Sequence, residues 1–554
     1  MICAADFETT TNPVDCRVWA WGITDIENPE NAFEYGTDIV GFFKHLATRE
    51  INDVWFHNLA FDGRFIIWKL LDLGYEWVDK NPKFMQFTTL ISSKNKFYQI
   101  EMNLSGNRIK FKDSLKLFPM SVKNLAKRFN LDTSKGELDY SEYRAPGHKL
   151  TNEELDYLKR DVVIVAKALA FNVNAGMTKL TIGANAFADY KKRIGKRTFS
   201  RAFPVLKPEV DSFIRDSYRG GYTYAEPNFC GKTISGISVD YTSMYPSMMI
   251  KYPYPFGQAY WFDGQYQVDT AHPLFVQKLV CDFELKPGAL PCLQLRGRGF
   301  YGNHEYVKRT VEPVELTLTS VDLELVERMY DLTVYEYRGG YKFAQTMGLF
   351  DAYIDYWGEV KNNSQGGERQ LAKLMLNNLY GKFATNPDVT GKHPVMHSDG
   401  IVSYDLCPEE LRDSVYIPVG TFATAYARRE LVNAIMLNRE RFAYCDTDSM
   451  HLVGDEEPKG IPLGNTLCHW KVEGHFDRAL HLRAKTYIWD LNGNISVTCA
   501  GMPDNVKKLC NFDNFRFGFS NVENGKIIAG AGKLTPKNVP GGVVLVESPY
   551  VLKE

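Results

Sequence analysis

The sequence predicts a multidomain α/β protein, and three observations carry that prediction. Its 554 residues exceed what one ordinary hydrophobic core organises, so two to four domains are expected. With 44% apolar and 13% aromatic residues the chain can pack throughout, which argues against disorder. Finally, short acid-bearing strand patterns such as ICAADFETTT alternate with longer stretches of helical period.

Composition excludes several classes. The ten cysteines form no CxxC pair and His is scarce, so neither a zinc site nor a disulfide framework is expected. The N-terminus has no basic-then-apolar leader pattern and no apolar run approaches a membrane span, which reads as a soluble intracellular protein. A formal charge of -2 is a weak argument against nucleic-acid binding, because distribution matters more than the sum. In YKKRIGKRTFSR, Lys191, Lys192, Arg193, Lys196, Arg197 and Arg201 stand without an acid between them. That run is a solvated face unless acidic catalytic clusters share the molecule, when it becomes a candidate phosphate contact.

The first elements give one acidic set. ICAADFETTT reads as a strand carrying Asp6 and Glu8 on one face. In VWFHNLAFDGRFIIWKLL, a strand at 54–56 precedes a helix with Asp62 near its start, where an acid also suits the helix dipole. Thr151 and Glu154 form a capping-box pattern opening a helix through Ala170, with Tyr157 and Asp161 four apart on one face. A phenol and an acid so spaced could be a plain surface pair. Together the four acids would suit two divalent ions that activate water for phosphodiester hydrolysis, with Tyr157 orienting that water.

Later elements give a second set. ISVDYTSMYPSMM offers a strand delivering Asp240, then Ser243, Tyr245 and Pro246 in a turn opening a short helix. FAYCDTDSMHL reads as a hairpin with Asp446 and Asp448 at its tip, either a solvated turn or, beside Asp240, a pair of carboxylates aimed at Mg²⁺. Between them, GGERQLAKLMLNNLYGKF has an apolar stripe of Leu371, Leu374, Met375 and Leu379, and another face of Arg369, Lys373, Asn377 and Tyr380. Opposite metal-binding carboxylates that face supplies cations for nucleotide phosphates and an aromatic for the base; otherwise it is solvent-exposed. No GxxxxGK[ST] phosphate loop occurs.

On these residues the whole chain resembles the family B DNA polymerases, specifically the protein-primed type of small linear-genome bacteriophages. DFETT, FHNLAFDG and YLKRD resemble the proofreading exonuclease motifs, implying Asp6, Glu8, Asp62 and Asp161 as metal ligands and Tyr157 as the water-orienting group. Asn58 and Phe61 resemble ligands of a single-stranded 3′ end, and Lys135 in SKGELDY resembles a supporting lysine. DYTSMYP, KLMLNNLYG and YCDTDS resemble the polymerase motifs. They imply Asp240 and Asp448 as principal metal ligands with Asp446 close by, Tyr245 as a gate against a ribose 2′-OH, and Lys373, Asn377 and Tyr380 at the nucleotide, with Lys361 as a further nucleotide-binding candidate outside the motifs. KTY, with Lys485 and Tyr487, resembles a primer-strand grip, and YRGG, with Tyr218, Gly220 and Gly221, a DNA-contacting hinge between domains. Asn378 and Met244 depart from the Ser and Leu usual there, without removing a catalytic group.

The resemblance implies an RNase H-like 3′–5′ exonuclease domain over 1–180, followed by a right-hand polymerase over 181–554. Its parts are a palm at 181–250 and 415–515, a terminal-protein region at 251–349, fingers at 350–386, a second insertion at 387–414 and a thumb at 516–554. The long interval from Asp240 to Lys373 has strand and turn signals of its own, and NPDVTGKHPVMHSDG reads as the second insertion's hairpin. Two Mg²⁺ per site, with Mn²⁺ as a substitute, and template, primer, deoxynucleotides and a priming protein are the implied cofactors and partners. A monomer in the cytoplasm of an infected bacterium is expected. A nuclease without synthesis, or a noncatalytic DNA-binding replication protein, are the rival readings; the first would lack one of Asp240, Asp446 and Asp448, and the second leaves two acidic sets unexplained.

Overall fold

The computed structural model describes residues 1–554 apart from 105, 132–137, 141, 296–301, 303 and 304, so Lys135 lies outside the described residues. Two large sheets organise the chain. In the first, of eight strands, Ile2–Thr9 sits near the centre, antiparallel to Val18–Asp25 and parallel to Asp53–Phe56. Alternation along Ile2–Thr9 decides what each face carries. Cys3, Ala5 and Phe7 pack into a core with Phe65 and Ile66 of the Leu59–Asp72 helix, while Ala4 packs with Leu158 and Val162 of the Asn152–Asn174 helix. Asp6 and Glu8 therefore share the Ala4 face, toward the helix that carries Asp161.

That helix begins where the sequence predicts it. The Thr151 hydroxyl accepts from the Glu154 N–H and the Glu154 carboxylate accepts from the Thr151 N–H, closing the capping box. Arg144 and His148 also engage Glu154, which fixes the preceding loop against the helix start.

The second sheet has seven antiparallel strands in the order Asn494–Cys499, Thr486–Leu491, Trp470–Arg483, Thr233–Tyr241, Ser449–Val453, Phe442–Asp446 and Thr223–Ala225. The Ile417–Leu437 helix is buried along most of its length and packs on the Gly366–Phe383 helix. The interval after Asp240 has its own four-stranded sheet, and LTLTSVDLELVERMYDL, read from sequence for strand and turn signals, also contains the Ser320–Met329 helix capped by Thr319. Within the segment read as a second insertion, Lys392–Met396 and Val402–Leu406 pair as an antiparallel hairpin.

One feature has no counterpart in the sequence reading. The core under the first sheet is completed by Val402 and by Val539, Val543 and Val544 of the C-terminal hairpin Lys533–Val539/Gly542–Ser548. The Arg64 guanidinium donates to Asn538 Oδ1 at 2.5 Å, Asn538 donates to the Val402 carbonyl at 2.8 Å, and Trp68 donates to the Gly400 carbonyl at 2.8 Å. Two segments distant in sequence thus close on the helix that carries Asp62.

Candidate active sites

The N-terminal acids do converge. Glu8, Asp62 and Asp161 are 4%, 3% and 9% exposed, which removes most of the water that could screen them. Burial, followed by the charges of Asp6, Asp161 and Asp62, holds Glu8 well above the ordinary carboxylate range. Burial and then Asp6 do the same to Asp62, against the opposing pull of its hydrogen bond with the Phe7 backbone. The Tyr157 hydroxyl lies 3.3 Å from that of Tyr140, and Tyr140 in turn hydrogen-bonds Glu8. Tyr140 was missed as a site residue although it closes the SKGELDY segment; a phenol in the same segment as a motif lysine was the available signal. Asn58, at φ 83°, is exposed, and its side chain does not cap the helix it precedes. Phe61 is half-buried against Phe65.

In the second sheet the distant acids are neighbours by register. Asp240 pairs with Ser449 across the ladder, and the Tyr241 N–H donates to the Asp448 carbonyl at 2.6 Å. Burial and then the Asp448 charge push Asp240 up to about 7; burial and then the Asp446 charge push Asp448 up to about 6. Glu473, at a bulge in Trp470–Arg483 opposite Ser238 and Val239, adds its charge to both. It belongs to no motif, and only the fold reveals it.

Asp446 is different. Lys485 Nζ lies 2.7 Å from both of its oxygens, and the Thr223 and Thr447 hydroxyls donate to it at 2.9 and 3.0 Å. Its lone pairs are therefore engaged, and Lys485, at φ 56°, is its counterion. Tyr487 is half-buried among Tyr444, His451, His481 and Trp489. The YRGG loop seats on the hairpin tip: a Cβ at Gly221 would lie 2.7 Å from Thr447 Oγ1, so only glycine permits that approach. Arg428, also missed, donates to the carbonyls of Arg219 and Gly220 while paired with buried Asp322 at 2.8 Å. An arginine pair, Arg428 and Arg429, following the apolar run of the Ile417–Leu437 helix was its only signal.

Facing these acids, Lys361 donates to Ser243 at 3.0 Å, and Arg369, Lys373 and Asn377 are exposed on one helical face. Leu371, Met375, Leu376 and Leu379 are buried beneath them; Leu374, expected in that stripe, is only half-buried. Tyr245 lies in the first turn of the Met244–Lys251 helix, and Tyr380 stacks on it with centroids 3.8 Å apart. The departing residues are both accommodated: Met244 is 1% exposed in the core and Asn378 donates to the Leu374 carbonyl.

Among the described residues, no three His, Cys, Asp or Glu side chains are drawn together tightly enough to hold one ion. Mg²⁺ does not require that, since it is commonly held by one or two carboxylates completed by waters and substrate phosphates. Asp240 and Asp448, raised by burial and neighbouring acids, crowd negative charge that such an ion would offset, as do Glu8 and Asp62.

A family model for type B DNA polymerases, organellar and viral, matches residues 46–147 and 137–462. The chain belongs to that family. Within the type B polymerases it is 41% identical to the DNA polymerase of Bacillus phage Nf and 40% identical to that of Bacillus phage phi29, across 99% of this chain and 99% and 98% of theirs. It superposes on phi29 DNA polymerase complexed with primer-template DNA at a TM-score of 0.93 and 39% identity, covering all of both chains. The structure of the same polymerase with primer-template DNA and incoming nucleotide gives a TM-score of 0.92 and 40% identity. The predicted fold class, a mixed α/β multidomain polymerase, holds. No helix among the described residues is long and apolar enough to cross a membrane.

Proposed function

We propose that this type B DNA polymerase extends a DNA primer on a template with deoxynucleoside triphosphates, and removes mispaired 3′ ends at a second site. The observation that carries the reading is the register that sets Asp240 beside Asp448, facing Tyr245, Lys361 and Lys373. Its relatives' structures with primer-template DNA and nucleotide support the partners.

Asp240 and Asp448 would hold Mg²⁺, or Mn²⁺ in its place, which when bound stabilises charge on the attacking and leaving oxygens of an in-line displacement. Lys361 and Lys373 balance the triphosphate. Tyr380 lies on the face of Tyr245 where a nucleotide would enter, so admission needs a shift of the Gly366–Phe383 helix. Tyr245 then closes the space a 2′-OH would need. Lys485 neutralises Asp446, leaving Asp448 as the carboxylate of that hairpin with capacity to spare. In the N-terminal site, Asp6, Glu8, Asp62 and Asp161 would hold a second pair of ions, and Tyr157, steadied by Tyr140, orients the attacking water. Asn58 and Phe61 receive the frayed strand, and Tyr218, Gly220, Gly221 and Tyr487 guide DNA between the sites. A supporting role is proposed for Lys135 at the excision site. The sheet inserted over 251–349 would hold a priming protein, and the hairpin within 387–414 would part the strands ahead, in the cytoplasm of an infected bacterium.

Two variants test this on one labelled primer. Asp448→Ala should abolish extension by more than about 10³-fold and keep degradation of single-stranded DNA. Asp6→Ala with Glu8→Ala should do the reverse. Loss of both activities in either folded variant would refute two separate sites.

A further inference from the structure

The basic run after the N-terminal domain is absorbed by neither site, and the structure divides it. Lys191 lies 4.5 Å from the ring centroids of both Phe187 and Phe199. Arg193 is paired with Asp189 at 2.7 Å and lies 3.5 Å from the Tyr356 ring centre. Both are engaged by neighbouring side chains, Lys191 while still exposed and Arg193 half-buried. Lys192, Lys196, Arg197 and Arg201 are exposed, and none has an acidic partner among the described residues.

Local structure does not explain those four. Gly195, at φ 82°, ends the Ile182–Ile194 helix and starts the Lys196–Ala202 helix, bringing the second group of cations up beside the first. Lys196 and Arg197 then occupy a first turn, where backbone N–H groups already present positive charge. Arg197 and Arg201 are four apart on one helix, a repulsive spacing. Only Lys192, in the last turn of its helix, is favoured by its place. A fold that keeps cations where they oppose each other and the helix end has another use for them.

Their position suggests what that is. The Ile182–Ile194 helix packs against the Asp351–Asn363 and Gly366–Phe383 helices, and Lys196–Ala202 against the Tyr254–Phe262 strand. The ridge therefore lies beside the helices that carry Lys361 and Lys373. We propose that Lys192, Lys196, Arg197 and Arg201 bind the phosphate backbone of a single strand of nucleic acid beyond both active sites. The inference rests on the polymerase reading. Two strands have that chemistry, the template ahead of the primer and the strand displaced from it.

The test replaces all four with Ala and measures binding against salt on three DNAs: a primer-template with a short overhang, one with a long template overhang, and one with a long displaced flap. Each single-strand phosphate contact contributes about 0.7 to the slope of log affinity against log salt, so the slope should fall by up to about 3 on one long substrate. Between 50 and 200 mM salt that difference is roughly 60-fold in affinity. The short substrate should be unaffected, and the long substrate that responds identifies the strand. A variant with all four as Lys or Arg of the other kind should retain the slope. Equal slopes on all three DNAs would overturn the proposal and leave a solvated face. An equal loss on the short substrate would overturn it too, by placing the contact on the primed duplex. Wild-type extension on the short substrate tests the polymerase reading separately, since binding slopes do not depend on turnover.

Discussion

The two acidic sites differ in what surrounds the carboxylates. Glu8 and Asp62 are almost wholly removed from water, and the strongest influences on each after burial are other acids. Asp240 and Asp448 are only partly buried, and Lys373, Lys471 and Lys485 pull against their acidic neighbours. On the proposed reading, a site that receives only the frayed end of a strand has no triphosphate charge to balance. A site that must also accept a triphosphate carries its own cations and stays open on one side. The sites differ also in assembly: the first takes its acids from one strand and two helices within residues 2–174, the second from strands about 200 residues apart.

The largest single effect should come from that second kind of assembly. Arg428 is buried, paired with Asp322, and bonded to the loop that seats on the Asp446–Asp448 tip. Arg428→Ala leaves Asp322 charged and buried, which should cost about 3–5 kcal/mol by denaturant unfolding. Extension should fall much further than single-strand degradation; equal losses would mean that the two sites share this support.

Tyr245→Val addresses the open side of the same site. Forcing a 2′-OH against a packed ring costs about 1–3 kcal/mol, so removing the ring should raise ribonucleotide incorporation by roughly 10–10²-fold relative to deoxynucleotide. Single-nucleotide insertion with paired substrates measures it. Unchanged sugar discrimination would move the gate elsewhere, and any change in excision would contradict the separation of the sites.

The charge contrast has a pH signature. Asp240 folds with its carboxyl at about 7, above the 3.8 of the unfolded chain, so the folded state binds the extra proton between those values. Stability therefore falls as pH rises from about 4 to 7, and the penalty is fully present above 7. Asp240→Asn removes it: without divalent ions the variant should be more stable at pH 8 by roughly 1–2 kcal/mol, after discounting for residual solvent, with no gain below pH 4. Glu8→Gln, in the drier site, should gain more. Melting curves at both pH values decide; a gain at Asp240 exceeding that at Glu8 would reverse the comparison. Mg²⁺ should stabilise the wild type more than Asp240→Asn.

Most of both sites was legible because the informative patterns are local. A period of two put Asp6 and Glu8 on one face, a capping box fixed the register of Tyr157 and Asp161, and a helical period set Lys373 beside Asn377 and Tyr380. What was not legible depends on contacts between elements distant in sequence. Nothing in WKVEGHF says that a bulge turns Glu473 toward Asp240, and Lys485 as a DNA grip did not reveal Lys485 as the counterion of Asp446. The N-terminal unit's reliance on Val402 and Val539–Val544 was invisible for the same reason: an apolar strand shows that it will be buried, not against what. Deleting the second insertion to probe strand separation would consequently also open the N-terminal core.

Arg64 gives a milder way to probe that closure, and the smallest expected effect. Its guanidinium is buried enough to lower its pKa, lies 6.0 Å from the Phe97 and 5.8 Å from the Tyr404 ring centres, and bonds an amide rather than a carboxylate. A buried cation without a counterion contributes little to stability, since desolvation offsets most of what its contacts return. Arg64→Met should then change stability by no more than about 1 kcal/mol in either direction, while Arg64→Ala loses packing as well and should be the less stable. What Met cannot do is tie Asn538, and through it Val402, to the helix of Asp62. If that tie holds the C-terminal hairpin and the second insertion together around DNA, Arg64→Met should shorten the products made in a single binding event and leave excision of single strands nearly unchanged. Products of wild-type length from a variant of wild-type stability would show that the apolar contacts of Val402 and Val543 close the junction without it.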